Sequence, residues 1–308
     1  MVQNVIKLSR RTFLEVAGSA ALMAAMPPLA AAEPVMKKKI AKSGELVPAI
    51  GMGSWVTFNV GTDPELRASR QAVLQAFFDH GGAVIDSSPM YGTSEEVIGY
   101  CLRNISNKEA LFSATKVWTI SKWLGVRQMS NSEALWGTKR FDLMQIHNLL
   151  DWETHLETLL EWKEQGRVRF IGVTTSHGRR HDEIEDIMRK QPIDTVQFSY
   201  SIFDREAEER LLPAAAERGL GVLINRPFET GMLFDRYGKK PLPEWSSEIG
   251  CANWAQFFLK FVISHPAVTC AIPATSKVPH MIENMGAMIG PMPDEVMRKR
   301  MVQYVDSL

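Results

Sequence analysis

An α/β barrel, eight parallel strands closed into a ring with helices outside, is the fold class this sequence predicts, and three observations carry the prediction. Short β-rich apolar runs recur roughly every thirty residues, longer helix-like segments alternate with them, and no low-complexity linker or second core interrupts residues 33–308. Parallel strands covered on both faces read as near-continuous hydrophobic runs. Eight such runs are present, at 49–53, 84–88, 111–117, 142–148, 168–175, 195–201, 221–227 and 269–275. The expected architecture is a single-domain (β/α)8 TIM barrel.

Between the strands lie amphipathic stretches such as 65–80, 152–165, 181–190, 206–218 and 253–264, with Gly81, Gly166 and Gly219 in the helix-stop position. Residues 39–46 read as a short N-terminal β-hairpin with its turn at Ser43-Gly44, capping one barrel mouth. The stretch 228–250 contains enough Pro and Gly to be a long functional loop.

Residues 1–32 stand apart. Ser9-Arg10-Arg11-Thr12-Phe13-Leu14 is followed by an apolar run over 16–26 and then by Ala30-Ala31-Ala32, small residues that a signal peptidase accepts. The segment resembles a twin-arginine export signal, with cleavage expected after Ala32. It has no polar face for docking as an amphipathic helix, and the run is too short to be a stable membrane span. The mature chain, 33–308, is then expected in the periplasm, with the twin-arginine export machinery as a partner.

With 308 residues, 45% of them hydrophobic, and a formal net charge of zero, the chain buries a sizeable core unaided. It has no basic block beyond Lys37-Lys38-Lys39 and so no electrostatic footprint for nucleic acid or an anionic membrane. Small molecules are the expected partners. Cys101, Cys251 and Cys270 show no Cys-x-x-Cys spacing, which points to neither a disulfide framework nor a thiolate metal site. All three are expected unpaired, and no metal is expected.

Catalytic groups of such barrels sit at the carboxyl ends of strands. Asp86, Lys116 and His147 interrupt apolar strands there, and Tyr91 follows in the loop after the second strand. Singly, Asp86 reads equally as a helix cap, Tyr91-Gly92 as a turn and His147 as a hydrogen-bonded core residue. Lys116 is different, because an unpaired ammonium among Phe112, Ala114 and Val117 would cost several kcal/mol. It requires a carboxylate, and adjacent strands bring Asp86 to the same mouth. A tyrosine with a reference pKa of about 10 becomes a better acid beside an ammonium, which Asp86 holds in place. His147 would orient or polarise a carbonyl oxygen. Carbonyl reduction is the chemistry this set suits.

The segments Asp86-Ser87-Ser88-Pro89-Met90-Tyr91-Gly92, Ala114-Thr115-Lys116-Val117 and Asp142-Leu143-Met144-Gln145-Ile146-His147-Asn148 resemble, in order and spacing, the three catalytic segments of aldo-keto reductases. Ile272-Pro273-Ala274-Thr275-Ser276-Lys277, continuing to Glu283-Asn284, is similar to that family's adenosine-phosphate segment. The resemblance covers residues 38–290. It implies an extended NADP(H), with NAD(H) as an alternative, bound without a Rossmann domain. No Gly-x-Gly-x-x-Gly follows a strand here.

The resemblance further implies that Thr174, Thr175 and Gln197 hold the carboxamide, and that Arg226, Phe228, Gly231 and Leu233 lie along the pyrophosphate. It gives Thr275, Ser276, Lys277, Glu283 and Asn284 the adenosine end, with Ser54, Trp55 and Asn225 completing the cofactor set. Trp55, Trp118 and Trp152 would line the pocket of a small carbonyl or alcohol substrate. The chain departs from the family pattern at Thr175, where Asn is usual, and at Asn225, where an aromatic often stacks on the nicotinamide. His280 stands where a second 2′-phosphate Arg is common, which leaves Lys277 as the expected cation and weakens the preference for NADP. Two other functions fit the fold: a cofactor-binding redox sensor with slow turnover, and a barrel isomerase or metal hydrolase. The latter needs clustered His and carboxylate ligands that seven scattered histidines do not show.

Overall fold

The computed structural model describes residues 34–308, so the expected export signal at 1–32 lies outside the described residues. Two strands, β1 (Lys37–Lys39) and β2 (Leu46–Pro48), pair antiparallel as the N-terminal hairpin. Eight more follow: β3 (Met52–Gly53), β4 (Val84–Asp86), β5 (Phe112–Val117), β6 (Phe141–Ile146), β7 (Val168–Thr174), β8 (Thr195–Ser199), β9 (Gly221–Asn225) and β10 (Cys270–Ala271). They pair in chain order and in parallel, and the bridges Ile50↔Ala271 and Gly53↔Ala274 bring the first and last together. The (β/α)8 barrel follows from the alternation of apolar runs with helical stretches.

The period of two along each strand divides the core into two layers. Val84, Phe112, Ala114, Leu143, Phe170, Leu223 and Cys270 form one cluster inside the ring. Ile85, Val117, Met144, Ile146, Ile171, Val173 and Val196 pack outward against the helices. Continued upward, the inner register delivers Asp86, Lys116, Gln145, Thr174, Gln197 and Asn225 to the carboxyl mouth. Gly172 belongs to this inner set, and a Cβ there would lie 2.2 Å from Thr195 Oγ1, so no larger residue fits.

The hairpin closes the opposite mouth. Ile40 and Val47 join the inner apolar cluster, and Lys38 Nζ donates to the carbonyls of His265 and Val268, each at 2.8 Å. Its strands extend two residues further on each side than the pattern at 39–46 indicates. Its turn is a 3-10 segment, Ala41–Ser43, ended by Gly44 at φ 76°.

Strand ends differ most from the sequence pattern. The expected strands run on to 88, 148 and 275, but the ladders stop at Asp86, Ile146 and Ala271. Beyond those points the chain bends into short turns, Pro89–Tyr91 and His147–Leu149, which build the mouth. The expected helix 206–218 is a 3-10 turn, Glu206–Glu208, followed by a helix over Leu211–Arg218. Pro213 lies in that helix's first turn, where its missing N–H leaves no bond unmade. The stretch 228–250 is not structureless, since it holds a helix over Met232–Tyr237 and a 3-10 segment over Glu244–Ile249.

Among the described residues, every non-glycine residue with positive φ except Asn107 lies in a loop at the carboxyl mouth, Val56, His177, Arg226 and Thr230 among them. Backbone strain of this kind collects at functional sites. Cys101, Cys251 and Cys270 are buried free thiols. No helix of the described residues is long and apolar enough to cross a membrane.

Candidate active site

Lys116 is wholly buried and Asp86 is 2% exposed. Their side chains form an ion pair, Nζ to Oδ2. Register explains the meeting: Asp86 pairs with Ala114 across β4 and β5, so Lys116 is the next inward residue of its strand. Lys116 Nζ also donates to the Ser87 carbonyl at 2.8 Å. The other carboxylate oxygen, Oδ1, accepts from Gln145 Nε2 at 2.9 Å and Gln197 Nε2 at 3.1 Å. Burial opposes the ammonium, yet Asp86 and Tyr91, by charge and hydrogen bonding, hold its pKa above the ordinary lysine value. A buried pair with this many partners meets the condition that makes such pairs tolerable.

Tyr91 sits in the turn after β4, with Lys116 Nζ 5.2 Å from its ring centroid. The ammonium was expected to lower the phenol pKa. In the structure burial dominates and raises it, with Lys116 pulling down and Asp86 pushing up, so the net direction is above the ordinary tyrosine value. The consequence is a phenol that stays protonated across neutral pH. His147 meets Tyr91 edge to face, with ring centroids 5.6 Å apart and planes at 89°. Burial, and secondarily the charge of Lys116, push its pKa down to about 3, so the imidazole is neutral at physiological pH.

That depression makes a stability prediction. In the folded chain His147 titrates near 3, against about 6.5 unfolded, so between these values the unfolded chain binds more protons. Its contribution is complete above about pH 6.5 and is lost as pH falls toward 3, on the order of 4 kcal/mol at the acid end. His265, pushed down to about 4 by burial and by Arg298, acts in the same direction. Urea midpoints measured from pH 7 to pH 4 should fall steadily, and His147→Asn should flatten the decline. A pH-independent midpoint would contradict the burial of both rings.

Above the ion pair opens a cleft of about 780 Å³ at the carboxyl mouth. Asp86, Tyr91 and His147 line its floor, with Ser54 and Trp55 to one side. Thr174, Thr175, Gln197 and Asn225 line the wall of β7 to β9. Arg226, Phe228 and Gly231 follow in the next loop, and Thr275, Ser276 and Lys277 stand at the far end with His280.

Five expected site residues sit elsewhere. Leu233 is wholly buried in the core, drawn inward with the apolar face of its helix. Asn284 is buried and Glu283 partly buried on the helix Val278–Gly286, outside the cleft lining. Trp152 begins the helix Trp152–Glu164 and packs partly buried against the core, while Trp118 stands exposed in the loop after β5. Neither belongs to the cleft lining, so Trp55 is the one tryptophan of the expected three that does.

Asn225 takes a part its sequence position did not reveal. Its Nδ2 donates to the Thr175 carbonyl at 2.9 Å and to Gln197 Oε1 at 3.3 Å, and its Oδ1 accepts from Ser199 Oγ at 2.7 Å. A hydrogen-bonded amide chain from Asp86 through Gln197 to Ser199 thus replaces an aromatic plane. Gln197 Nε2 is engaged by Asp86 Oδ1 and by Gln145 Oε1 at 3.2 Å, and Asn225 Nδ2 takes one acceptor site of its oxygen, which leaves the second for a ligand. Gln145, Ser88, His177 and Arg179 are additional site residues. The polar break inside Met144-Gln145-Ile146 and the basic run from His177 to Arg180 directly after a strand are the signals that mark three of them.

The residues present fit an extended dinucleotide. Thr175 Oγ1 and Arg226 Nε are buried in the cleft wall with no hydrogen-bond partner, an arrangement that a polar ligand completes. Among the described residues no group of three or more His, Cys, Asp or Glu is placed to hold a metal ion.

Asp86, Tyr91, Lys116 and His147 meet at the carboxyl mouth of the barrel, and comparison with known proteins supplies the family. The model of the aldo/keto reductase family matches residues 49–300, and the chain belongs to that family of oxidoreductases. Aldo-keto reductase YhdN of Bacillus subtilis (strain 168) is 28% identical over 214 residues, covering 63% of this chain and 62% of that protein, so the match spans under two thirds of the Bacillus enzyme. Methylglyoxal reductase YeaE of Escherichia coli (strain K12) is 26% identical over 260 residues, 82% of this chain and 90% of the relative. Among solved structures, an aldo/keto reductase from Klebsiella pneumoniae in complex with NADP and acetate superposes with a TM-score of 0.74 at 25% identity, covering 87% of this chain and 95% of that one.

Proposed function

We propose that the protein is an NADP(H)-dependent reductase of aldehydes or ketones, with Tyr91 as general acid. The observation that carries this reading is the neutral His147 set edge to face with Tyr91, over a buried Lys116–Asp86 pair on the floor of an open cleft. The NADP-bound Klebsiella relative and the methylglyoxal reductase of Escherichia coli support it. When bound, NADPH supplies hydride equivalents for reduction of a carbonyl carbon. His147 orients the carbonyl oxygen, and the Tyr91 hydroxyl hands it a proton. Lys116 stabilises the phenolate left behind, and Asp86 keeps the ammonium charged and in place. Thr174, Thr175 and Gln197 would hold the carboxamide, Arg226 the pyrophosphate, and Thr275, Ser276 and Lys277 the adenosine phosphate. Trp55 and Met90, both partly exposed at the rim, suit a small carbonyl substrate.

Purified protein should quench its tryptophan fluorescence on adding NADPH and oxidise NADPH with members of a panel of small aldehydes and ketones. Absence of both responses would end the reading. Lys277 is the cation expected to distinguish the cofactors, with His280 beside it in the cleft lining. Lys277→Met should raise the KM for NADPH about tenfold and leave that for NADH nearly unchanged, the size expected for one charge-assisted phosphate contact. Equal effects on both cofactors would place Lys277 away from the 2′-phosphate.

Ser9-Arg10-Arg11-Thr12-Phe13-Leu14 and Ala30-Ala31-Ala32 support export by the twin-arginine route to the periplasm, as the mature chain 33–308. Replacing Arg10 and Arg11 by Lys should retain the protein in the cytoplasmic fraction, and unchanged fractionation would count against export.

A further inference from the structure

Ser88 is wholly buried, two residues beyond Asp86, and its hydroxyl has two neighbours. It accepts the backbone N–H of Met90 at 3.2 Å, capping the turn Pro89–Tyr91, and it lies 2.8 Å from Nδ1 of His147. One hydroxyl therefore ties together the turn that carries the phenol and the imidazole across the cleft.

The geometry points to Ser88 as a positioning residue that donates its O–H to His147 Nδ1 and so fixes the neutral ring with its hydrogen on Nε2, directed at the carbonyl oxygen. A serine hydroxyl has one hydrogen and two acceptor sites. Met90 N–H occupies one acceptor site, and Nδ1 is the acceptor left for the hydrogen. The opposite tautomer would place a second N–H on Ser88 Oγ and leave its hydrogen without a partner in a wholly buried position, a cost that native interiors avoid. It would also turn the Nε2 lone pair toward the carbonyl oxygen, opposing lone pair to lone pair. In imidazoles, the hydrogen bond made by one nitrogen decides which proton the other carries. The neutrality of the ring, held by burial and by Lys116, makes this choice matter, because an imidazolium would carry both protons regardless.

The inference rests on the carbonyl-reductase reading for its consequence but not for its test. In protein without added cofactor, 15N NMR of His147 should show Nε2 protonated and Nδ1 bare. Ser88→Ala should populate the other tautomer, and Ser88→Thr, which keeps the hydroxyl, should restore the wild-type pattern. Ser88→Ala should also lower kcat about tenfold, the scale of one lost hydrogen bond, while the Kd for NADPH stays within about twofold. A wild-type ring protonated on Nδ1 overturns the inference. So does a Ser88→Ala protein with wild-type tautomer and turnover. If Ser88→Ala fails to fold, the wild-type spectrum alone decides. If no carbonyl compound is reduced, the spectrum still decides the role of Ser88, and only the reaction assignment falls.

Discussion

Tyr91→Phe is expected to lower kcat with a small aldehyde by about 10²- to 10⁴-fold, the range typical of losing a positioned general acid, while NADPH affinity stays within about twofold. The separation is expected because the substitution removes one oxygen and keeps the ring. The edge-to-face contact with His147 and the approach of Lys116 Nζ to the ring both involve ring carbons and survive. Lys116 keeps Asp86 and the Ser87 carbonyl as partners. Fluorescence titration and steady-state kinetics on the same preparation give the two readouts. Wild-type turnover in Tyr91→Phe would remove the phenol from the reaction, and a parallel loss of binding would make its role structural.

The second large effect concerns the ion pair, and it is expected to be asymmetric. Asp86→Ala should cost about 3–5 kcal/mol of folding stability, the range for breaking a buried pair. It leaves a wholly buried ammonium without its carboxylate, and it removes the acceptor of both Gln145 Nε2 and Gln197 Nε2. Lys116→Met should cost clearly less. Asp86 keeps both amide donors, and methionine fills the stem of the lysine with apolar volume. Joining the two changes should recover part of the loss, since the charge left unpaired by the first is absent. Urea denaturation of the three variants measures this. Equal costs for the two single changes would mean that the amide donors do not support the carboxylate.

The barrel was legible because its cause is local and periodic. A strand buried on both faces has to be apolar along its length, and eight such runs mark themselves. Lys116 was legible for the opposite reason, since a charge inside such a run demands a partner, and consecutive strands limit the choice to Asp86. The resemblance of the segments around Asp86, Lys116 and His147 to aldo-keto reductases added the cofactor. Strand ends were less legible. The residues just past Asp86 and Ile146, Ser87, Ser88 and His147, are buried like the strands themselves, so where hydrogen bonding stops is set by the backbone path.

Side-chain direction was legible only in part. Trp152 and Leu233 were assigned to ligand surfaces by position, but each sits on a helix whose apolar face is drawn into the core. The Tyr91 phenol shows the same limit in electrostatics. The neighbouring ammonium is inferable from strand order, but the burial that outweighs it depends on how the turn folds back over the barrel. The bond between Ser88 and His147 spans 59 residues, and no local pattern announces it.

Period and polarity along the chain thus determined the ring of strands, the rim on which reactive groups stand and the demand for a carboxylate beside Lys116, because each follows from the cost of burying backbone and charge. Only the folded arrangement decided which amides hold Asp86, which nitrogen of His147 meets Ser88, and how strongly Tyr91 retains its proton. Those depend on distances of about 3 Å between residues far apart in sequence, and hydrogen bonds and desolvation change over fractions of that length.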